Sequence, residues 1–216
     1  MDPACDEAGK ISREFDGDAC DFCERYKNNG LSRSSKLLLK FILDGNAIGK
    51  AVLDLGCGAG GLSIELLKHG AQSAVGFDLS PRMIDAATDL ALATDFESRA
   101  KFQEGNAATA ALPRSDIVVM DKVLCCYSEW MPLLKNAMEA SEVMVGFTVP
   151  RDEGITKLPF RIALRIANYF QKRRGGVLFY LHPLGTVDKT LRDSGFKRLR
   201  KQGSRFWLVF LYSRVQ

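Results

Sequence analysis

The run Asp54-Leu55-Gly56-Cys57-Gly58-Ala59-Gly60-Gly61 concentrates glycine beside a carboxylate. Glycines in such a loop let the backbone turn sharply and admit a ligand close to the main chain. A helix starting there adds free amide N–H groups. Asp78 follows Gly56 by 22 residues, where a carboxylate can accept from both hydroxyls of a ribose. The chemistry is nucleotide binding. Gly56, Gly58 and Gly61 also fit the dinucleotide pattern G-x-G-x-x-G. Two features argue against NAD. Asp54 stands where dinucleotide sites carry an apolar residue, and the expected C-terminal hairpin leaves no room for a second catalytic domain. Thiols are the other reactive set. Cys20 and Cys23 lie three apart, and Cys125-Cys126 are adjacent. Four converging thiols would make a zinc or soft metalloid centre. As small buried fillers they need no metal, and no metal is the expectation.

The elements that must position these residues follow from periodicity. Residues 51–55 form a first strand ending in the glycines, and 61–69 a helix with Leu62 and Leu66 on one stripe, stopped by Gly70. Residues 74–78 form a second strand. Ser80 caps the next helix with Pro81 at its first position, burying Met83, Ala87, Leu90 and Ala91. Residues 100–103 are a short third strand. Residues 116–121 are a fourth, whose run Ile117-Val118-Val119-Met120 suits a strand buried on both faces. Helices are predicted over 130–140, 159–172 and 186–194, a fifth strand over 142–149, and an extended segment over 177–181. The 159–172 helix carries Arg161, Arg165, Asn168 and Lys172 on one polar stripe. Residues 196–202 and 205–213 pair as an antiparallel hairpin about Gly203-Ser204. Upstream, residues 18–26 and 34–43 are predicted helical, making residues 1–46 a cap and 47–216 the nucleotide-binding domain.

Val52-Leu53-Asp54-Leu55-Gly56-Cys57-Gly58-Ala59-Gly60 and Gly76-Phe77-Asp78-Leu79-Ser80-Pro81-Arg82-Met83-Ile84 resemble the first two motifs of class I S-adenosylmethionine-dependent methyltransferases. The resemblance spans roughly residues 50–213. It implies an α/β, Rossmann-like sheet of about seven strands, mostly parallel with a C-terminal antiparallel hairpin, under a helical N-terminal lid. It implies S-adenosylmethionine as cofactor, with the glycine loop at Gly56, Cys57 and Gly58 meeting its methionine moiety. Asp78, followed by Leu79 and Met83, would bind the ribose. Asn106 and Ala107 would read the adenine, and Asp121 would face the methyl group. Asp54 is a further cofactor candidate, although a buried carboxylate bracing the loop through backbone N–H groups is the favoured reading.

Met120-Asp121-Lys122-Val123-Leu124-Cys125-Cys126-Tyr127, Gly146-Phe147-Thr148-Val149-Pro150-Arg151-Asp152 and Tyr180-Leu181-His182 are similar to magnesium-protoporphyrin IX O-methyltransferases and uncharacterised bacterial relatives. The segment from Phe15 to Arg25-Tyr26 resembles that family's capping helix, whose Tyr is implicated at the active site. That family carries His where this chain has Cys126. The groups this places at the methyl are Tyr26, Asp121, Tyr127 and His182, with a hydrogen-bonded structural role as the alternative for His182. His69, four after Glu65 at a helix end, reads as a favourable C-terminal cation.

Composition bounds the rest. The chain has 216 residues, 46% apolar and 26% charged, which excludes collagen-like, disordered and disulfide-scaffold classes. No apolar run reaches the ~18 residues of a membrane span. The acidic, polar start is no signal peptide, and six cysteines without one read as reduced cytoplasmic thiols. Residues 151–216 carry 15 Lys+Arg against 4 Asp+Glu, a net +11, whereas residues 1–150 carry 15 against 22, a net −7. The expected function is methyl transfer to a small-molecule acceptor, anionic and apolar at once, docking between the lid and the 157–182 segment, with weak membrane-surface contact through 157–174. A nucleic-acid methyltransferase using the basic third is the second reading, although the Asn/Asp-Pro-Pro-aromatic signature is absent. A non-catalytic nucleotide-binding or assembly protein is the third.

Overall fold

A computed structural model describes residues 3–153, 157–203 and 206–215. Seven strands form one sheet: β1 (Ala51–Leu55), β2 (Ser73–Asp78), β3 (Ala100–Glu104), β4 (Ser115–Met120), β5 (Ser141–Pro150), β6 (Phe196–Gly203) and β7 (Trp207–Arg214). Their order is β3-β2-β1-β4-β5-β7-β6. The first five pair in parallel, and β7 pairs antiparallel with both β5 and β6. The chain winds outward in both directions from β1 and β4. Such a switch point opens a crevice beyond the carboxyl ends of the strands, where the glycine loop lies.

Alternation along the strands supplies two cores, as a sheet covered on both faces requires. Leu53, Leu55, Val118 and Met120 pack on one face beneath α5 (Trp130–Ala140) and α7 (Leu184–Asp193). Val52, Ile117 and Val119 pack on the other beneath α2 (Arg33–Asp44), α3 (Gly61–Lys68) and the Ala91 end of α4 (Pro81–Ala93). The predicted cap of α4 forms: Ser80 Oγ accepts from Met83 N at 3.0 Å. Met83, Ala87 and Ala91 are buried, while Leu90 is half-buried.

Three sequence expectations change. The first helix, α1, runs over Pro3–Asn29 rather than 18–26. Its mean hydrophobic signal is weak, yet Ile11, Phe15 and Ala19, spaced four apart, pack against the body, and tertiary contact supplies the stability that propensity does not. Residues 177–181 lie outside the sheet, where Phe179 exchanges two backbone hydrogen bonds with the Asn168 carboxamide of α6 (Lys157–Arg174), at 2.7 and 3.0 Å. That bond pulls Asn168 inward, so the predicted polar stripe of α6 is split between the body and solvent. Gly203 belongs to β6, and the remainder of the hairpin turn, Ser204 and Arg205, lies outside the described residues.

Gly56 has φ 69°, and a Cβ there would land on the Val123 side chain. We expect Gly56→Ala to lower the urea-unfolding free energy by at least ~1 kcal/mol through the left-handed backbone alone. A variant as stable as the parent would show that the loop is not held in this conformation.

Candidate functional site

The loop after β1 is built by main-chain hydrogen bonds to the end of β2. Gly56 N and Cys57 N both donate to Phe77 O, at 2.7 and 3.0 Å, and Gly60 N closes back on Cys57 O. Gly58 N donates to Asp78 Oδ2 and Ser80 N to Asp78 Oδ1, each at 2.9 Å. Both carboxylate oxygens are thus oriented by backbone N–H groups, and each keeps acceptor capacity for a hydroxyl. Burial raises the Asp78 pKa, and these N–H groups oppose the rise. Gly56, Gly58 and Gly60 all have positive φ. A Cβ at Gly61 would strike the Tyr26 ring, at 2.8 Å, and one at Gly76 would strike Phe102 and Cys57. At Gly58 it would meet nothing within 4 Å. The loop is open on the Gly58 side, next to the Asp78 carboxylate.

Asp54 is buried under the loop, and Ser63 Oγ of α3 donates to its Oδ2 at 2.7 Å. The expected brace through backbone N–H groups is therefore replaced by a side-chain hydroxyl. Burial pushes its pKa up to about 7, with Ser63 opposing and the charges of Asp121 and Asp78 adding. Leu79 is half-buried, whereas Met83 is fully buried beneath α1 with Ala19 and Ala59. Ala107 is buried, and Asn106 Oδ1 accepts from Ala108 N at 3.0 Å and from Tyr127 Oη at 3.3 Å. The Asn106 oxygen that the sequence offered to an adenine amine is thus engaged twice, which leaves its NH₂ as the freer end.

The four groups expected at the methyl separate. Tyr26 lies across Gly61 and donates to Glu65 Oε1 at 2.8 Å, and burial followed by that bond keeps it a protonated phenol. Asp121 is enclosed: Thr148 Oγ1 donates to Oδ1 at 2.8 Å, while Ser35 Oγ and Lys122 Nζ donate to Oδ2. Lys122 takes φ 64° to make this turn, and its own N donates to Thr148 Oγ1 at 2.7 Å. His182 Nε2 bonds the Leu124 carbonyl at 2.8 Å, so the proton sits on Nε2. Its ring packs beside Trp130, and burial lowers its pKa. Tyr127 is the one that joins the nucleotide constellation, through Asn106, and burial and the Asp78 charge raise its pKa. His69, as expected, ends α3, with Nδ1 on Glu65 O at 2.8 Å.

Two features escaped sequence reasoning. Asp16 Oδ1 accepts from Ser80 Oγ at 2.6 Å and from Arg82 N at 3.2 Å, pinning α1 over the start of α4. Glu7 accepts from Ser128 N and Oγ, pinning the other end. Partners 64 and 121 residues apart leave no local pattern to find. The thiols do not converge. Cys23 packs beside Met83 and Cys20 meets Arg82, whereas Cys125 and Cys126 lie buried around the Lys122 carbonyl. Cys126 also lines a cavity of about 390 Å³ with Glu7, Lys10, Ile11, Lys172 and Tyr180. That cavity lies between α1 and the 172–180 segment; Arg161 and Arg165 do not line it.

Residues 52–142 match the family described as "Methyltransferase domain". The matched residues run from β1 into β5 and include the glycine loop, Asp78 and Asn106; methyltransferases of this family use S-adenosylmethionine. Among solved structures, the fold is similar to magnesium protoporphyrin IX methyltransferase of Synechocystis PCC 6803 with bound SAH. The TM-score is 0.74 at 21% identity, covering 95% of this chain and 98% of that one. It is also similar to an O-methyltransferase family protein of Burkholderia thailandensis, with TM-score 0.73 at 17% identity, covering 96% of this chain and 61% of that one. In sequence, the chain is 31% identical over 119 residues to the ribosomal protein L11 methyltransferase of Escherichia coli (strain SMS-3-5 / SECEC). That match covers 55% of this chain and 40% of the relative's length.

We expect Asp78→Ala to weaken S-adenosylmethionine binding at least tenfold by calorimetry, through lost charge-assisted hydrogen bonds. Gly58→Ala should weaken it while costing less stability than Gly56→Ala, because its Cβ enters the open side of the loop. Unchanged affinity in both variants would move the nucleotide elsewhere. Asp54 carries a pH signature. The folded state holds its proton more tightly than the unfolded chain, so the parent loses stability as pH rises from 3.8 to about 7 and levels off above. Asp54→Asn should lack that slope in urea titrations across pH.

Proposed function

We propose that this chain transfers a methyl group from S-adenosylmethionine to an anionic, partly apolar small molecule seated in the cavity between α1 and residues 172–180. One observation supports the acceptor class: each candidate base is already engaged in hydrogen bonds within the protein. Tyr26 and Tyr127 are protonated phenols donating to Glu65 and Asn106. Asp121 is enclosed by three donors, and the His182 Nε2 proton is committed to a carbonyl. A carboxylate acceptor attacks without losing a proton, so it calls on none of these groups. The cavity offers Lys10 and Lys172 next to Ile11, Val177 and Leu178, with Glu7 and Glu129 also in its wall.

S-adenosylmethionine, when bound, supplies a sulfonium methyl open to in-line displacement. The protein's part is alignment, which contributes up to ~7–11 kcal/mol in well-oriented reactions. In this reading Gly56, Cys57 and Gly58 receive the methionine moiety, Asp78 orients the ribose beside Leu79, and Asn106 and Ala107 border the base. Met83 and Asp54 act from beneath, shaping the pocket and the loop rather than touching the ligand. Tyr127 closes the methyl end, with His182 holding the Leu124 turn behind it. Residues 1–46 form a lid over the domain of residues 47–216, clamped by Asp16, Tyr26 and Glu7. Residues 157–174 provide the surface that meets a membrane, and the free thiols suit a reducing cytoplasm.

The test is incubation of the full chain with methyl-labelled S-adenosylmethionine and a metabolite extract. The expected product lies in the anionic small-molecule fraction and releases volatile label in mild alkali, as a methyl ester does. Label in protein or RNA instead would overturn the acceptor class. With the acceptor known, Lys172→Ala should raise its KM several-fold, more at low salt, and leave cofactor affinity unchanged.

A further inference from the structure

α6 is turned with its apolar side outward. Its inward side consists of Phe160, Leu164, Asn168 and Gln171, all half-buried. Two polar ties hold it there: Asn168 to the Phe179 backbone, and Gln171 Nε2 to Glu14 Oε1 at 3.1 Å. Opposite stand Leu158, Ile162, Ile166, Tyr169 and Phe170, each more than half exposed. At about 100° per residue these five share an arc of ~120°. Scattered exposed apolar side chains are ordinary, but five contiguous ones on one helix require a cover.

Charge says what the cover is. The 18 residues of α6 contain six cations and no acid. Arg161 is paired with Asp152, at 2.6 Å. Arg165 and Lys172 flank one side of the apolar arc, Arg173 lies over the Tyr169 ring at 4.8 Å, and Arg174 follows at the helix end. A second copy meeting this face about a two-fold axis would set these cations against their own images. Among the described residues no helix is long and apolar enough to cross a membrane, so the face is suited to lying on a surface rather than spanning one. We propose that α6 is an in-plane docking helix for an anionic lipid bilayer. Its aliphatic and aromatic side chains enter the headgroup boundary, and Arg165, Arg173 and Arg174 meet lipid phosphates and carboxylates.

The placement links docking to catalysis. Lys172 and Gly175-Gly176 lie at the end of α6 and line the cavity, and Gln171 ties the same turn to α1. A membrane-seated α6 would open the cavity toward the lipid, where an apolar anion partitions. This link rests on the methyl-transfer reading; lipid docking itself does not.

The test is co-sedimentation of the full chain with phosphatidylcholine vesicles, with and without phosphatidylserine, and it reads no turnover. We expect about tenfold stronger partitioning onto the phosphatidylserine vesicles at low salt, reduced as salt screens the cations. Ile162→Asp/Ile166→Asp should reduce binding to both vesicle types at least tenfold, with circular dichroism and S-adenosylmethionine binding unchanged. Arg165→Gln/Arg173→Gln should abolish the preference for phosphatidylserine. The parent's own lipid and salt dependence stands without either variant. A parent that stays in the supernatant with both vesicles overturns the proposal, as does aspartate-variant binding equal to the parent's. A dimer that the aspartate pair dissociates, seen by light scattering, would assign the face to a second copy and also overturn it.

Discussion

The Asp78 carboxylate organises this protein. Its two oxygens take the Gly58 N–H from the loop after β1 and the Ser80 N–H from the start of α4, and so join two segments that would otherwise diverge at the sheet's switch point. The loop can present Gly58 N only because Gly56, Gly58 and Gly60 take left-handed backbone angles, which cost other residues roughly 1–3 kcal/mol each. The shape of the glycine loop, the entry of α3 and the seat of α1 all follow from that junction. Burial raises the pKa values of Asp54 and Tyr127, and the charge of the same carboxylate adds to both shifts.

α1 is fastened to the domain by polar contacts at points spread along its length. Glu7 binds Ser128, Glu14 binds Gln171, Asp16 binds Ser80 and Arg82, and Tyr26 binds Glu65. Between them, Ile11, Phe15 and Ala19 contribute modest apolar burial. Hydrogen bonds that exchange readily with water, around a small apolar seam, hold α1 less firmly than a continuous apolar interface would. Tyr26 belongs to this fastening, while Asp121 and His182 also brace the loops after β4.

The C-terminal third reverses the usual distribution of polarity. β6 places Lys197, Arg198, Arg200 and Lys201 on the open sheet edge, where charge prevents further strands from adding. Several of these cations are paired, Arg198 with Asp188 and Lys201 with Glu153. On α6 the apolar side chains face outward and the amides inward. The two basic features therefore differ: the edge is self-neutralising, whereas the helix presents an unmatched apolar arc with cations around it.

Sequence alone determined the sheet, the glycine loop and the Asp78 carboxylate. Those features are local: a continuous apolar run marks a strand buried on both faces, Ser80-Pro81 marks a helix start, and glycine spacing marks a loop with positive φ. The lengths of α1 and α6 were underestimated because their stability comes from contacts with distant elements rather than from propensity. What only the tertiary structure decided was pairing: Tyr26 with Glu65, Asp121 with Ser35 and Thr148, His182 with the Leu124 carbonyl, and Cys20 and Cys23 apart from Cys125 and Cys126. Helical periodicity could rank the faces of α6, but not say which one the body would take. Two hydrogen bonds between Asn168 and Phe179 settled that, and a carboxamide buried against a backbone leaves no signature in the spacing of apolar residues.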